Sequence, residues 1–340
     1  ETDILRKCIS CNVGCAGNRI GINRPIRCTV NPAVPEGDIY KRLRVNKNCN
    51  VVVIGGGTAG LEAACTAAEV GCNVFLFEKS DKLGGLSEFI SDLPGKTRMK
   101  DFPRYLRTRA ERLPNLYTFL NTEASIEEIN KFHPDIVVNA TGSHPVVPPI
   151  PGLRENRAAG NLDDIFIMIN NVNAGKYPEE FCRGKKVLVM GGGAVGLDII
   201  EYFAPLGADC TIVDMLPTIG AVADPITKCS IKETFEVNHV KQYVNTAIQE
   251  VKEHSIVVKT PEGNVEELEF DLGFSALGLA AYNPILDELH KEYDDTDVDV
   301  YNIGDSVRAR HIMEGTMDGR AILNVLDKRG LLDLSEIELA

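Results

Sequence analysis

The chain has 340 residues, with 36 lysines and arginines against 49 aspartates and glutamates, a net charge of −13 and 44% hydrophobic residues. That is length for two or three domains of ordinary soluble composition. The acidity argues against nucleic acid or an anionic membrane surface as a partner, since both select basic patches. No apolar run approaches the roughly 20 residues of a membrane span.

Ten cysteines are too sparse for a disulfide scaffold. With no signal-peptide pattern, a reducing, cytoplasmic setting is expected. The chain starts at Glu1 and meets a cysteine motif within eight residues, so it reads as a piece of something longer. Residues 1–40 are rich in Gly, Asn, Pro and Arg, with little periodicity. Cys8, Cys11, Cys15 and Cys28 stand in a C-x2-C-x3-C-x12-C spacing. Four soft thiolates brought together by turns suit an iron–sulfur cluster or zinc. Zinc sites more often use two C-x-x-C pairs, and here there is one; a loop of free thiols is the third reading. The other six (Cys49, Cys65, Cys72, Cys182, Cys210, Cys229) share no spacing and read as small buried hydrophobes.

The run from Val51 to Lys79 organises the rest. A β-branched strand (Val51 to Ile54) stops at Gly55, and Gly55, Gly57 and Gly60 supply G-x-G-x-x-G. An alanine-rich helix follows, Gly71 closes it, and a second apolar strand ends on Glu78. Strand, glycine turn, helix, strand and acid together make a dinucleotide-binding fingerprint. The glycines allow a tight turn, close approach of backbone to a pyrophosphate and close helix packing, while the helix N-terminus faces the phosphates and the acid takes a ribose. Gly84 and Gly85 form a turn able to lie against a cofactor. Residues 101–113 read as a helix with solvated arginines. Asp135 to Ala140 is a strand ending in Thr141-Gly142, and a proline-rich crossing segment follows.

Residues 187–215 repeat the unit. Gly191, Gly193, Gly196, Gly207 and Asp214 match Gly55, Gly57, Gly60, Gly71 and Glu78 at one offset of 136, and Ala276-Leu277-Gly278 matches Ala140-Thr141-Gly142. Two copies of one module are expected. Pro205 should end or kink the second helix early. Asp214 favours a free 2′-hydroxyl, hence NAD(H) over NADP(H). A helix over about 224–236, a hairpin pairing Ser255–Lys259 with Val265–Phe270, a strand from Val300 ending in Gly304-Asp305, and a helix over 315–326 complete the chain. Asp305 can hold a sugar-like hydroxyl chain. His311, six residues after Asp305, is a candidate to approach a cofactor, and His144 sits in a loop; the six histidines show no metal spacing.

Two nucleotide modules, the A-T-G strand end and the terminal I-G-D resemble the two-dinucleotide-domain flavoprotein reductases. The C-I-S-C-N-x-x-C…C-x-V-N-P segment is similar to the group of NADH:flavin oxidoreductases containing 2,4-dienoyl-CoA reductase, 2-enoate reductase and trimethylamine dehydrogenase. The resemblance implies an α/β fold of two Rossmann-like domains of the FAD/NAD(P) reductase type behind an irregular N-terminal iron–sulfur segment. The segment would span 1–45, an FAD domain 46–155 with 290–335, and an inserted NAD(P)H domain 156–289. FAD would be held by Gly55, Gly57, Thr58, Ala59, Gly60, Glu78, Lys79, Gly84, Gly85, Ala140, Thr141, Gly142, Gly304 and Asp305. NADH would be held by Gly191, Gly193, Ala194, Val195, Gly196, Asp214 and Gly278. A [4Fe-4S] cluster would sit on Cys8, Cys11, Cys15 and Cys28. The implied activity is electron input to an ene-reductase: hydride from NADH to FAD, then single electrons through the cluster to an FMN in an old-yellow-enzyme-like barrel that reduces an activated C=C bond. This sequence lacks that barrel, so its catalytic acid and base are unassigned. The dithiol of disulfide reductases is missing after Gly84-Gly85, and a homo-oligomer is compatible. The alternatives are a free-standing electron-transfer subunit and a non-catalytic adenine-nucleotide scaffold.

Overall fold

The computed structural model describes residues 4–34, 37, 39–221 and 223–335. Its principal strands in chain order are β1 (Asn50–Ile54), β2 (Asn73–Phe77), β3 (Leu116–Phe119), β4 (Ile136–Asn139), β5 (Leu162–Asp163), β6 (Lys186–Met190), β7 (Asp209–Val213), β8 (Lys241–Tyr243), β9 (Leu272–Ser275) and β10 (Asp299–Asn302). The helices that matter are α1 (Thr58–Glu69), α2 (Gly85–Ile90), α3 (Asp101–Glu111), α4 (Ala194–Phe203) and α5 (Ile312–Arg320). The chain falls into two compact units. Unit 1 holds the described residues up to His144 and those from Ala280 onward; unit 2 is the continuous stretch Pro145–Leu279.

Each unit is built on a five-stranded parallel sheet. Unit 1 has the order β10-β4-β1-β2-β3, and unit 2 the order β5-β9-β6-β7-β8. Four strands correspond one to one, β4-β1-β2-β3 with β9-β6-β7-β8. Only the edge beside β4 or β9 differs: the chain downstream supplies it in unit 1 and the chain upstream in unit 2. Val51, Val52 and Val53 of β1 are fully buried, as are Ala63, Ala64 and Ala67 of α1. An unbroken apolar strand is what a parallel sheet covered on both faces requires, and each fully buried valine contributes about 1.5–3 kcal/mol.

The offset of 136 holds at the level of hydrogen bonds. Asn50 N donates to Asp135 Oδ2 and Lys186 N to Asp271 Oδ2, both at 2.8 Å. Gly55 N reaches Phe77 O and Gly191 N reaches Val213 O, again both at 2.8 Å. The α/β reading with two Rossmann-like modules therefore stands. The expected hairpin pairs Ser255–Lys259 with Val265–Glu269 in antiparallel register.

Pro205 acts as its chemistry dictates. The second glycine-loop helix ends at Phe203, after 10 residues against 12 in α1, and Ala204–Leu206 tightens into a 3-10 turn. Three local expectations are corrected. Val13–Gly21 is not irregular but winds as a π-helix, with Gly17 N bonded to Asn12 O at 2.7 Å. The expected helix over 315–326 is two helices, α5 and Ile322–Lys328. The arginines of α3 are not all solvated: Arg109 is buried against Glu62 and Glu69.

Candidate functional site

In a parallel sheet with helices on its faces, the carboxyl ends of the strands open into a crevice. In unit 1 that end gathers the Gly55–Gly57 turn after β1, Glu78 and Lys79 after β2, Ala140–Gly142 after β4, and Gly304-Asp305 after β10. Gly55 has φ of +103°, and a Cβ there would strike the Ala140 carbonyl. A Cβ on Gly60 would fall on the Gly55 carbonyl. Gly57 differs: nothing lies within 4 Å of the place its Cβ would take. Its surroundings are open at the start of α1, where Thr58, Ala59 and Gly60 form the first turn and the unpaired N–H groups lie. That is room for a phosphate at the positive end of a helix dipole.

The acid at the end of β2 is fixed from both oxygens. Gly56 N donates to Glu78 Oε2 at 2.7 Å, and Ser80 donates to Oε1 through its N–H (2.8 Å) and its hydroxyl (2.7 Å). A carboxylate has about four acceptor positions, so at least one remains for a ribose hydroxyl. Gly84 N bonds Gly56 O at 2.8 Å, and a Cβ on Gly85 would press on Gly57 Cα at 2.9 Å. The start of α2 thus covers the glycine loop. Lys79 Nζ lies 4.9 Å from the Tyr282 ring centroid, a cation–π contact, and Tyr282 N donates to Gly142 O at 2.9 Å.

On the other side of the crevice, Asp305 accepts from Ser143 Oγ (3.1 Å) and Arg310 N (3.0 Å). Burial pushes its carboxyl above the usual range, against the pull of those two donors. Asn139 is fully buried and donates to Asn302 Oδ1 (2.9 Å) and Asn283 Oδ1 (3.0 Å). Thr141 Oγ1 lies 3.2 Å from Asn139 Oδ1 and donates to Tyr282 O at 2.5 Å. This amide network ties β4, β10 and the A-T-G turn together. His311 turns out to be the N-cap of α5, in a capping box with Glu314. Donating to the Glu314 carboxylate raises the His311 pKa, and the same bond lowers that of Glu314.

Unit 2 repeats the arrangement. Gly191 (φ +109°) abuts the Ala276 carbonyl, Gly193 is open, and Gly196 leaves no room for a Cβ against the Gly191 carbonyl. Ala194 and Val195 start α4. Asp214 Oδ2 accepts from Gly192 N at 2.5 Å and Oδ1 from Leu216 N at 2.7 Å. Gly278 has φ of +107° with open space around it.

The sequence reading passed over Gly56 and Gly192. Each donates its N–H to the terminal acid, and a Cβ would meet Leu83 Cδ2 at 2.4 Å in one copy and Ile219 Cδ1 at 2.5 Å in the other. It also passed over Gly220, whose N bonds Gly192 O at 2.8 Å as Gly84 N bonds Gly56 O, and over the paired clamps Asp135 and Asp271. The signal for all of them was present: identical residues at the offset of 136.

The cysteine segment is gathered only in part. Arg27 N bonds Gly14 O at 2.8 Å, placing the neighbours of Cys15 and Cys28 side by side, and Cys11 Sγ lies 3.1 Å from Thr29 Oγ1. Cys8 and Cys15 are exposed. Among the described residues no three His, Cys, Asp or Glu side chains converge as metal ligands, so the expected thiolate cage is not formed in this geometry. No described helix is long and apolar enough to cross a membrane.

A family model described as pyridine nucleotide-disulphide oxidoreductase matches residues 107–312, more than half of the chain, and a second, FAD dependent oxidoreductase, matches 50–89. The chain is 34% identical to an NADH oxidase of Thermoanaerobacter brockii over 93% of its own length and 47% of the relative's. It is 31% identical to a bilirubin reductase of Mediterraneibacter gnavus over 95% and 47% respectively. Among solved structures, a 2-naphthoyl-CoA reductase in complex with 2-naphthoyl-CoA superposes with a TM-score of 0.78 at 27% identity, covering 94% of this chain and 46% of that one. The chain thus spans about half the length of the curated relatives it matches.

Proposed function

Because this chain belongs to the pyridine nucleotide-disulphide oxidoreductase family, we propose that it is the electron-input portion of an NADH-dependent, ene-reductase-type oxidoreductase, with FAD in unit 1 and NADH in unit 2. FAD and NAD(H) are the cofactors of the family. The observation that carries the reading is the paired glycine loop: twice, at one offset, an open glycine at a helix start stands beside a carboxylate fixed by the loop's own N–H.

When bound, FAD supplies a ring that accepts a hydride from a reduced nicotinamide. The chain's own residues bind and orient. In unit 1 the N–H groups at the start of α1 receive the pyrophosphate over Gly57, and Glu78 takes adenosine ribose hydroxyls. Asp305 takes a hydroxyl of the ribityl chain. In unit 2 Gly193, Ala194, Val195 and Gly196 receive the second dinucleotide. Asp214 accepts the 2′-hydroxyl and repels a 2′-phosphate, which selects NADH. The family resemblance assigns Cys8, Cys11, Cys15 and Cys28 to a [4Fe-4S] cluster, for which four thiolates are suitable soft donors, although the thiols do not converge in this geometry. The electron acceptor is assigned to the half of the relatives that this chain does not span, an FMN barrel acting on an activated C=C bond, in the cytoplasm. The likeness to a 2-naphthoyl-CoA reductase supports that substrate class.

Anaerobic visible spectroscopy of the FAD-loaded chain tests the reading. Bleaching of the flavin bands by one equivalent of NADH, with equal iron and sulfide on analysis, is the expected result. Flavin bands indifferent to NADH would overturn the electron-input reading, and zinc in place of iron would overturn the cluster assignment.

A further inference from the structure

Asp318 lies inside α5, two turns from the His311 cap, and the proposed function gives it nothing to do. Its side chain nevertheless reaches back to the Gly304-Asp305 turn. Gly304 N donates to Asp318 Oδ2 at 3.0 Å, and Arg310 forms an ion pair with the same carboxylate. Arg310 in turn donates its backbone N–H to Asp305 Oδ1 at 3.0 Å. Tyr301, on the strand leading into the turn, donates its hydroxyl to Asp318 O at 3.1 Å. One residue therefore holds the strand before the turn, the turn itself and the arginine after it.

The helix packs closely at this position. A Cβ on Gly319 would meet Ala59 O at 2.5 Å and Ala63 N at 2.9 Å, and one on Gly304 would meet Ala59 Cβ at 2.8 Å. Glycine at both places lets α5 and the turn lie directly on the start of α1. Gly304 also needs its φ of +67°, which a side chain rarely adopts. Asp318 supplies a charge-assisted bond to the turn's N–H, the stronger kind. Arg310 Nε, beside this turn, is buried and has no hydrogen-bond partner among the described residues. A buried donor is satisfied in almost every folded protein, by protein, water or ligand.

We propose that Asp318 and Arg310 form a positioning pair that sets the Asp305 carboxylate for the hydroxyl chain of the bound flavin dinucleotide, so that they govern recognition of the flavin half of the cofactor and leave the ADP half alone. This rests on the assignment of FAD to unit 1. The proposed function assigns the ADP half to the start of α1 and Glu78, and among the described residues no hydrogen bond runs from Asp318 or Arg310 to either.

The test compares FAD and ADP affinity on the full chain by fluorescence and calorimetric titration, for wild type, D318N, R310K and R310M. The expected result for D318N and R310M is roughly tenfold weaker FAD binding, the loss of about one good hydrogen bond, with ADP affinity unchanged. The backbone N–H that meets Asp305 is present in every variant; R310K also keeps the charge that pairs with Asp318 and should recover most of the FAD affinity. Equal loss of FAD and ADP affinity would mean general damage and overturn the proposal. So would FAD affinity at the wild-type level in both D318N and R310M. Wild type that binds ADP but not FAD would instead overturn the assignment of FAD to unit 1, a failure distinguishable from the others.

Discussion

Replacing Glu62 with glutamine tests whether charge buried behind the first glycine loop holds α1 in place. Glu62 is fully buried. Its Oε2 accepts from Arg109 Nη1 at 2.7 Å, and its Oε1 from Arg320 Nη2 at 2.8 Å and Nε at 3.2 Å. Arg109 also forks onto Glu69 through two bonds of 2.7 Å, and Arg320 lies 3.6 Å over the Tyr40 ring. The amide keeps the shape but offers one oxygen and turns an N–H pair toward a guanidinium. Arg109 is then left with Glu69, and Arg320 loses the carboxylate it pairs with. Removing one side of a buried ion pair costs about 3–5 kcal/mol, because the stranded charge stays buried. At about 2–4 °C per kcal/mol for a unit of this size, the melting point should fall by roughly 6–20 °C. Calorimetry on the whole chain at pH 7 reads the shift.

The pH matters. Burial alone would raise the Glu69 pKa, but the hydrogen bond and charge of Arg109 outweigh it and hold it below the ordinary value. A folded-state pKa depressed in this way gives stability present above the unfolded value of about 4.3 and lost as pH falls through the folded one. The quadruple variant with Glu62, Glu69, Arg109 and Arg320 replaced by Leu, Met, Met and Met should melt well above E62Q, since the whole set can be exchanged for apolar packing and no charge is stranded. A shift under about 2 °C for E62Q, or a quadruple variant no more stable than E62Q, would refute the reasoning.

Three further outcomes are expected. Gly57→Ala, at φ of −73° with open space around it, should melt like wild type and lose FAD, while Gly60→Ala should lose both stability and FAD; melting points and flavin-to-protein ratios check this, and full flavin in Gly57→Ala would sink the phosphate assignment. Asp214→Ser should weaken NADH binding about tenfold or more while leaving NADPH nearly unchanged, read by fluorescence titration, with unchanged NADH affinity as the contrary result. His311, its pKa raised first by the Glu314 hydrogen bond, contributes stability present in full below the unfolded value of about 6.5 and lost as pH rises through the folded one. Because the side chain is about half exposed, screening keeps the effect below about 1 kcal/mol; melting of wild type and His311→Gln from pH 6 to 9 should differ in slope, and parallel curves would count against it.

The two modules were readable because glycine is demanded by backbone geometry at fixed places, and a repeated demand leaves a repeated letter. Gly55 and Gly191 carry the same positive φ against the same carbonyl. Gly56 and Gly192 were hidden by the motif itself, which treats them as free positions. Arg109 was misjudged because a helical arginine reads as surface until its partners are seen. Glu62 and Glu69 stand two turns apart on another helix, and Arg320 comes from 258 residues beyond Glu62. The Asn139 network was equally invisible: its amides come from three separate segments. For the cysteines, spacing stated the donor chemistry and said nothing of where each thiol would stand.

The edge strands of the two sheets have a consequence for synthesis. Unit 2 takes its edge, β5, from chain already translated, and it is complete once Leu279 has emerged from the ribosome. Unit 1 takes its edge, β10, and the helix packed on α1 from residues translated afterwards. Its first strand is made early, yet its sheet cannot close until Asn302 is out. Translation therefore delivers the second module finished before the first, and a ribosome that stops between the two leaves the opening glycine loop without the helix that braces it.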